Sequence, residues 1–289
     1  MNSFDSTFLR LLKQYKWMNE RAPPNKAYNP TTVEHIANVI TNGIWIPFSI
    51  WGGHSLLQRS TTWPQLLVAV VYSLSIISIF TVSTTFHCAL LCQTRGPVKD
   101  VLHRCDRAMI YIFIAASYFP WLTLTRVPPH GLVAELWWLI WVFASVGILY
   151  QQIFHERFKW LETTFYLIMG IAPGLAFLSI DVPVLFEIQI GGLFYIAGVF
   201  FFKMDGRIPF AHAIWHLLGA IAACIHLLTV LGTLYDKIPA DGEAWHNNYW
   251  FGTNSLTVGI KLLASNFSNL GEAQTPAPFT SSSITNIVQ

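Results

Sequence analysis

The chain has 289 residues, of which 11% are charged and 53% hydrophobic, with a mean hydropathy of +0.46. A soluble domain carries roughly 25% charged residues, so charge this sparse excludes a surface covered by water. A net charge of +2 gives no reason to expect a nucleic-acid partner.

Residues 1–35 form a polar, basic arm. The arm has no apolar core, so no cleavable signal peptide is expected and the first membrane span serves as the insertion signal. Residues 4–18 set Phe8, Leu11, Leu12 and Tyr15 against Arg10, Lys13 and Lys16. That pattern suits a helix lying on the cytosolic membrane face, and equally a plain surface helix or a disordered arm. A spanning helix needs roughly 20 mostly apolar residues. Seven such stretches follow, at residues 36–58, 64–92, 105–125, 131–151, 160–180, 184–203 and 209–234. Pro128 and Pro129 mark the turn between the third and fourth, and Asp181, Val182 and Pro183 that between the fifth and sixth. Pro47, Pro120 and Pro173 are expected to kink their helices. Gly170 and Gly174 form a G-x-x-x-G that reads either as a close-packing face or as a chance pair. The four cysteines, Cys88, Cys92, Cys105 and Cys224, lie in or beside apolar stretches and read as thiols, not as a disulfide framework. Residues 236–289 are rich in Ser, Thr, Asn, Gly and Pro and are expected to be disordered. They hold the sequon Asn266-Phe267-Ser268.

The expected fold is therefore all-α: a seven-transmembrane bundle over residues 36–235, flanked by the arm and the tail. Of the 17 Lys and Arg residues, 13 fall in the N-terminal segment and at the even-numbered loops. The positive-inside rule places these in the cytosol. The N-terminus is then cytosolic and the C-terminus lumenal or extracellular.

Ionisable residues inside a membrane helix are costly and point to function. His212 and His216 are four apart on the seventh span, which puts both rings on one helix face. This is the spacing by which two histidines chelate one metal ion, although two histidines can also cap a helix end. His87 closes the second span at its cytosolic end and Asp106 opens the third. At 1.5 Å per residue, all four lie within about two turns of one membrane surface. Three neutral imidazoles with one open position are a catalytic zinc arrangement. Asp106 then suits the acceptor of a proton from water, and Ser83, one turn before His87, suits a supporting hydrogen bond. The alternatives are a helix-start cap paired with Arg104 or Arg107 for Asp106, and plain packing for Ser83. His35, His54, His103, His130, His155, His226 and His246 lack such support. His35, His103 and His155 are expected to be solvated at the cytosolic surface.

Ser83-x-x-x-His87, Asp106 and His212-x-x-x-His216 in this order resemble the progestin and adipoQ receptor family, related to hemolysin III. Asp106-Arg107 followed by Ile114-Ala115-Ala116-Ser117-Tyr118, with Pro120-Trp121-Leu122, is similar to the monocyte-to-macrophage differentiation factor subgroup. So are Ile208-Pro209-Phe210-Ala211 leading into His212, Arg21-Ala22-Pro23, and Glu34-His35-x-x-Asn38. The resemblance covers residues 20–235 and implies seven helices with a cytosolic N-terminus. It also implies zinc on His87, His212 and His216, with Ser83 and Asp106 near a bound water. Related receptors look like ceramidases, so the resemblance implies a lipid substrate or ligand and lipid-amide hydrolysis. It further implies Golgi, late endosomal or lysosomal membranes. A non-catalytic receptor or scaffold with structural zinc stands beside that reading. Its basic cytosolic segments suit a cytosolic protein partner or anionic lipid.

Overall fold

The computed structural model describes residues 16–23, 28–125, 130–154, 157–177 and 185–235. The amphipathic segment before residue 16, both expected interhelical turns, His155, His246, the tail and its sequon lie outside the described residues. The described residues form eight helices and no strand: α1 Thr32–Gly43, α2 Trp45–Arg59, α3 Trp63–Leu91, α4 Pro97–Leu124, α5 Leu132–Ile153, α6 Lys159–Phe177, α7 Leu185–Phe202 and α8 Ala211–Leu234. Five are long and apolar enough to cross a membrane: α3, α4, α5, α6 from Trp160, and α8. The apolar stretch of α7, Phe186–Phe202, is shorter.

The first expected span is divided into α1 and α2 at Ile44. Pro47 lies in the first turn of α2. Its ring clashes with the carbonyl four residues back, and it has no N–H to bond there. The helical ladder therefore restarts at this point. Pro120 and Pro173, by contrast, lie inside α4 and α6, which run on past them.

Helix α1 begins with a capping box. Thr31 Oγ1 accepts from the Glu34 N–H at 3.3 Å, and Glu34 Oε2 accepts from the Thr31 N–H at 2.8 Å. Its polarity is inverted relative to a soluble helix. Glu34, His35, Asn38 and Asn42 are buried, with Asn38 at 0% exposure, while Ile36, Ile40 and Ile44 are 43%, 54% and 58% exposed. In a bilayer the surroundings are apolar, so outward isoleucines are favourable and the inward polar groups must find partners inside the protein.

Helix α4 starts at Pro97, ahead of the boundary expected at residue 105. Hydropathy reports the membrane-embedded part of a helix, not its polar extension into water. The cap of α4 is Gly96, with φ of 72°. Asp106 is thus nearly three turns inside the helix, which corrects its expected place at the helix start and removes the capping role.

The core joins Leu56, Tyr72, Ile76, Tyr111, Trp121, Ile140, Leu227 and Leu231. Gly52 allows α2 to meet α8: a Cβ built there would lie 2.2 Å from Leu227 Cδ2. Between α7 and α8, Gly206 takes φ of 73° with its Cα against the backbone of Arg21, where a Cβ would lie 2.5 Å from the Arg21 Cα. Trp17 packs edge-on against Phe210 at 5.8 Å. The arm residues thus lie over the turn that leads into α8.

Candidate metal centre

The last turns of α3 and the first turns of α8 bring His87, His212 and His216 together. Ring centroids are 5.4 Å apart for His87 and His212, 5.1 Å for His87 and His216, and 4.6 Å for His212 and His216. One ring nitrogen from each lies within 4.8 Å of the others. Three nitrogens sharing one tetrahedral ion at 2.0–2.1 Å stand about 3.4 Å apart, so a small contraction closes the set on a metal ion.

The Nδ1 atoms are occupied by protein groups. The Asn38 side-chain amide lies 3.5 Å from His87 Nδ1, and the Asn42 amide 2.8 Å from His216 Nδ1. The Asp205 carboxylate Oδ2 lies 3.1 Å from His212 Nδ1. Among the described residues, His87 Nε2 is buried with no hydrogen-bond partner. A buried ring nitrogen left bare costs on the order of 1–3 kcal/mol. Ligation by a metal ion removes that cost, so the three residues fit such an ion.

Ser83 is buried on α3, and its Oγ accepts from Asn42 Nδ2 at 3.1 Å. Its hydroxyl also interacts with the Asp106 carboxylate. Ser83, Asp106, His212 and His216 together line one end of a cavity of about 580 Å³. From there the cavity passes between α4, α6, α7 and α8 along walls such as Ile114, Leu167, Ile188 and Ile196. It reaches Trp121, Tyr195 and His226. That volume is in the range of ligand pockets, roughly 300–1,000 Å³. Gly170 and Gly174 line it too. A Cβ on Gly170 would meet nothing within 4 Å, whereas one on Gly174 would lie 3.2 Å from the Tyr118 hydroxyl, which itself donates to the Gly170 carbonyl.

Arg107 Nη1 donates to Glu162 Oε2 at 2.6 Å, and the Tyr166 hydroxyl donates to Glu162 Oε1 at 2.9 Å. Arg104 Nη1 donates to the Gln152 carbonyl at 2.5 Å. The expected solvation of His35 and His103 does not hold. His35 is only 8% exposed, on the inward face of α1. His103 is half-buried, stacked on Phe86 at 5.0 Å, and accepts from Arg107 Nε at 3.2 Å. Sequence reasoning missed Asn38, Asn42 and Asp205 as partners of the three histidines. The inward run of Glu34, His35, Asn38 and Asn42 was a usable sign for the first two. Nothing local marked Asp205, because only the folded turn carries it to His212.

The comparisons with known proteins agree with this frame. A family model described as Haemolysin-III related matches residues 31–227, a span that contains all three histidines, Ser83 and Asp106. The chain is 42% identical over 228 residues to the monocyte to macrophage differentiation factor of Homo sapiens, covering 78% of this chain and 94% of that relative. It is 32% identical over 203 residues to the hemolysin-3 homolog of Bacillus subtilis (strain 168), covering 67% of this chain and 92% of that relative. A hemolysin-3 of Bacillus cereus is 31% identical over 197 residues, covering 64% of this chain and 84% of its own length. With its apolar helices and its buried histidine cluster, this chain is a membrane protein that belongs to the haemolysin-III related family, the family of the progestin and adipoQ receptors.

Proposed function

We propose that this chain crosses the membrane seven times, with a cytosolic N-terminus, and hydrolyses a lipid amide of the ceramide type at a zinc site held by His87, His212 and His216. One observation carries the proposal: His212 and His216 of the histidine cluster line the same end of an apolar cavity as Asp106. Zinc held there would supply Lewis acidity and bring the pKa of water towards neutrality. Asp106 accepts a proton from the attacking water as its oxygen bonds to the amide carbon. It returns that proton to the nitrogen as the C–N bond breaks. Ser83 holds the Asp106 carboxylate in place. The apolar walls take the hydrocarbon chain and keep bulk water out. The charge asymmetry of the loops supports the orientation, and the resemblance of its motifs to the monocyte-to-macrophage differentiation factor subgroup is the basis for a place in Golgi, late endosomal or lysosomal membranes.

The test is zinc per purified chain, followed by turnover of ceramide. About one zinc in the wild type, none in His212→Ala/His216→Ala, and turnover lost in Asp106→Asn are the expected results. Wild type with full zinc and no turnover on any ceramide would sink the hydrolase. It would leave a receptor or scaffold in which the metal ties α3 to α8, presenting basic cytosolic segments to a protein partner or anionic lipid.

A further inference from the structure

We infer that Asn38, Asn42 and Asp205 are positioning residues that hold the three histidines in the tautomer a metal ion requires. Helix α1 is therefore part of the metal site although it supplies no ligand. The inference rests on the metal-site reading above and goes beyond it.

Each ring has its own protein group at Nδ1, from two separate parts of the chain. Asn38 faces His87 and Asn42 faces His216, both from α1, and Asp205 faces His212 from the turn between α7 and α8. An imidazole that ligates through Nε2 carries its proton on Nδ1 and must donate it. A carboxylate only accepts, so Asp205 already suits this role at His212. An amide suits it when its oxygen faces the ring, and oxygen and nitrogen exchange by a half-turn of the amide group.

At His87 the buried atoms without partners point to that arrangement. The oxygen of Asn38 is buried and has no partner, and so is Nε2 of His87. Turning the Asn38 oxygen to His87 Nδ1–H satisfies the first, and a metal ion on Nε2 satisfies the second. At Asn42 the amide nitrogen lies 2.8 Å from His216 Nδ1 and also donates to the Asn38 carbonyl at 3.3 Å and to Ser83 Oγ at 3.1 Å, so the same turn exchanges those two bonds for an acceptor at Nδ1. The burial of Asn38 at 0% and Asn42 at 4% keeps water from taking their place. The two amides are one helical turn apart, as are His212 and His216, so α1 lies along the site as a rail of acceptors.

The partners also differ in charge. Asp205 gives His212 a carboxylate, which raises ligand basicity, whereas His87 and His216 have neutral amides. Removing Asp205 therefore weakens the metal more than removing either amide.

The experiment measures zinc affinity by chelator competition on the purified full chain in detergent, with the absorption spectrum of the cobalt-substituted protein alongside. Asn38→Leu, Asn42→Leu and Asp205→Ala are each expected to lose 10–100-fold in affinity, with Asp205→Ala the weakest. Asn38→Asp and Asn42→Asp keep an acceptor at Nδ1 and are expected to stay within a few-fold of wild type. A role in helix packing alone predicts the reverse order, because a buried carboxylate disturbs packing more than an isosteric leucine does. Leucine variants that melt normally and bind zinc as wild type does would overturn the inference while leaving the metal site standing. A wild type that binds no zinc would instead remove the metal reading beneath it.

Discussion

Helix α8 carries a histidine at each end of the cavity, His216 buried and His226 half-buried, and the two ends treat them differently. His216 and His226 are ten residues apart, about 15 Å along the helix. At the far end, His226 Nε2 accepts from the Trp121 indole N–H at 2.8 Å, and its Nδ1 lies 2.8 Å from the Tyr72 hydroxyl. An indole only donates, so His226 carries its proton on Nδ1 and gives it to Tyr72. Both nitrogens are satisfied by protein. At the near end, each Nδ1 has a protein partner, but His87 Nε2 has none. The difference lies in the accounting of lone pairs and not in residue type. A membrane-embedded histidine with both nitrogens bonded pins helices together, and one with a bare nitrogen beside two others holds a ligand.

The comparison breaks most visibly by deleting a ring at each end. His87→Ala is expected to reduce bound zinc from about one per chain to about none, measured on protein purified in detergent. His226→Ala is expected to keep its zinc and to melt at a lower temperature. Zinc lost equally in both variants would mean that the near cluster depends on overall packing, and the contrast would fail.

The next effect is catalytic. Asp106→Asn keeps the size of the side chain and removes its ability to take a proton. General acid–base groups contribute roughly 10²–10⁴-fold. Turnover of ceramide by the zinc-loaded variant should fall by that factor with zinc content unchanged. A fall of less than tenfold would assign the proton to another group.

Much of this frame was legible from sequence. His212 and His216 announce themselves by helical spacing, and hydropathy placed His87 at a matching depth. What stayed hidden has physical reasons. Hydropathy could not find the start of α4 at Pro97, because the helix extends beyond the apolar stretch. It merged α1 with α2, because a proline in the first turn interrupts the backbone ladder without changing polarity. Asn38 and Asn42 were visible as residues but not as partners, since an asparagine in a span reads the same whether it faces an imidazole or a carbonyl. His226 was set aside for want of a neighbouring ligand, and that reading was blind to Tyr72 and Trp121, which arrive from α3 and α4.

A smaller effect sharpens the far end. Trp121→Phe keeps the apolar bulk and removes the one donor that His226 Nε2 has. Hydrogen bonds between membrane helices average about 0.6 kcal/mol and reach about 1.7 kcal/mol. A loss in that range is expected by reversible unfolding in mixed micelles, with zinc affinity unchanged. Changed zinc affinity would show that the two ends are coupled along α8.

The smallest effect concerns the arm, which touches the start of α1. The Tyr28 hydroxyl donates to Glu34 Oε2 at 3.0 Å and accepts from the Asn19 N–H at 2.9 Å. Burial, with the Glu34 carboxylate beside it, pushes the Tyr28 hydroxyl up from 10.0 to about 12. A raised pKa means that the folded state favours the neutral phenol. Its contribution is therefore complete below pH 10 and is lost as the pH climbs through about 12. Tyr28→Phe should cost about 1 kcal/mol at neutral pH, and the gap from wild type should close as the pH rises across that window. The melting temperatures of the two proteins across the window check this. The absence of a gap at neutral pH would place the stabilisation in the ring's packing, which phenylalanine keeps, leaving the arm fastened to α1 by contact and not by the hydroxyl.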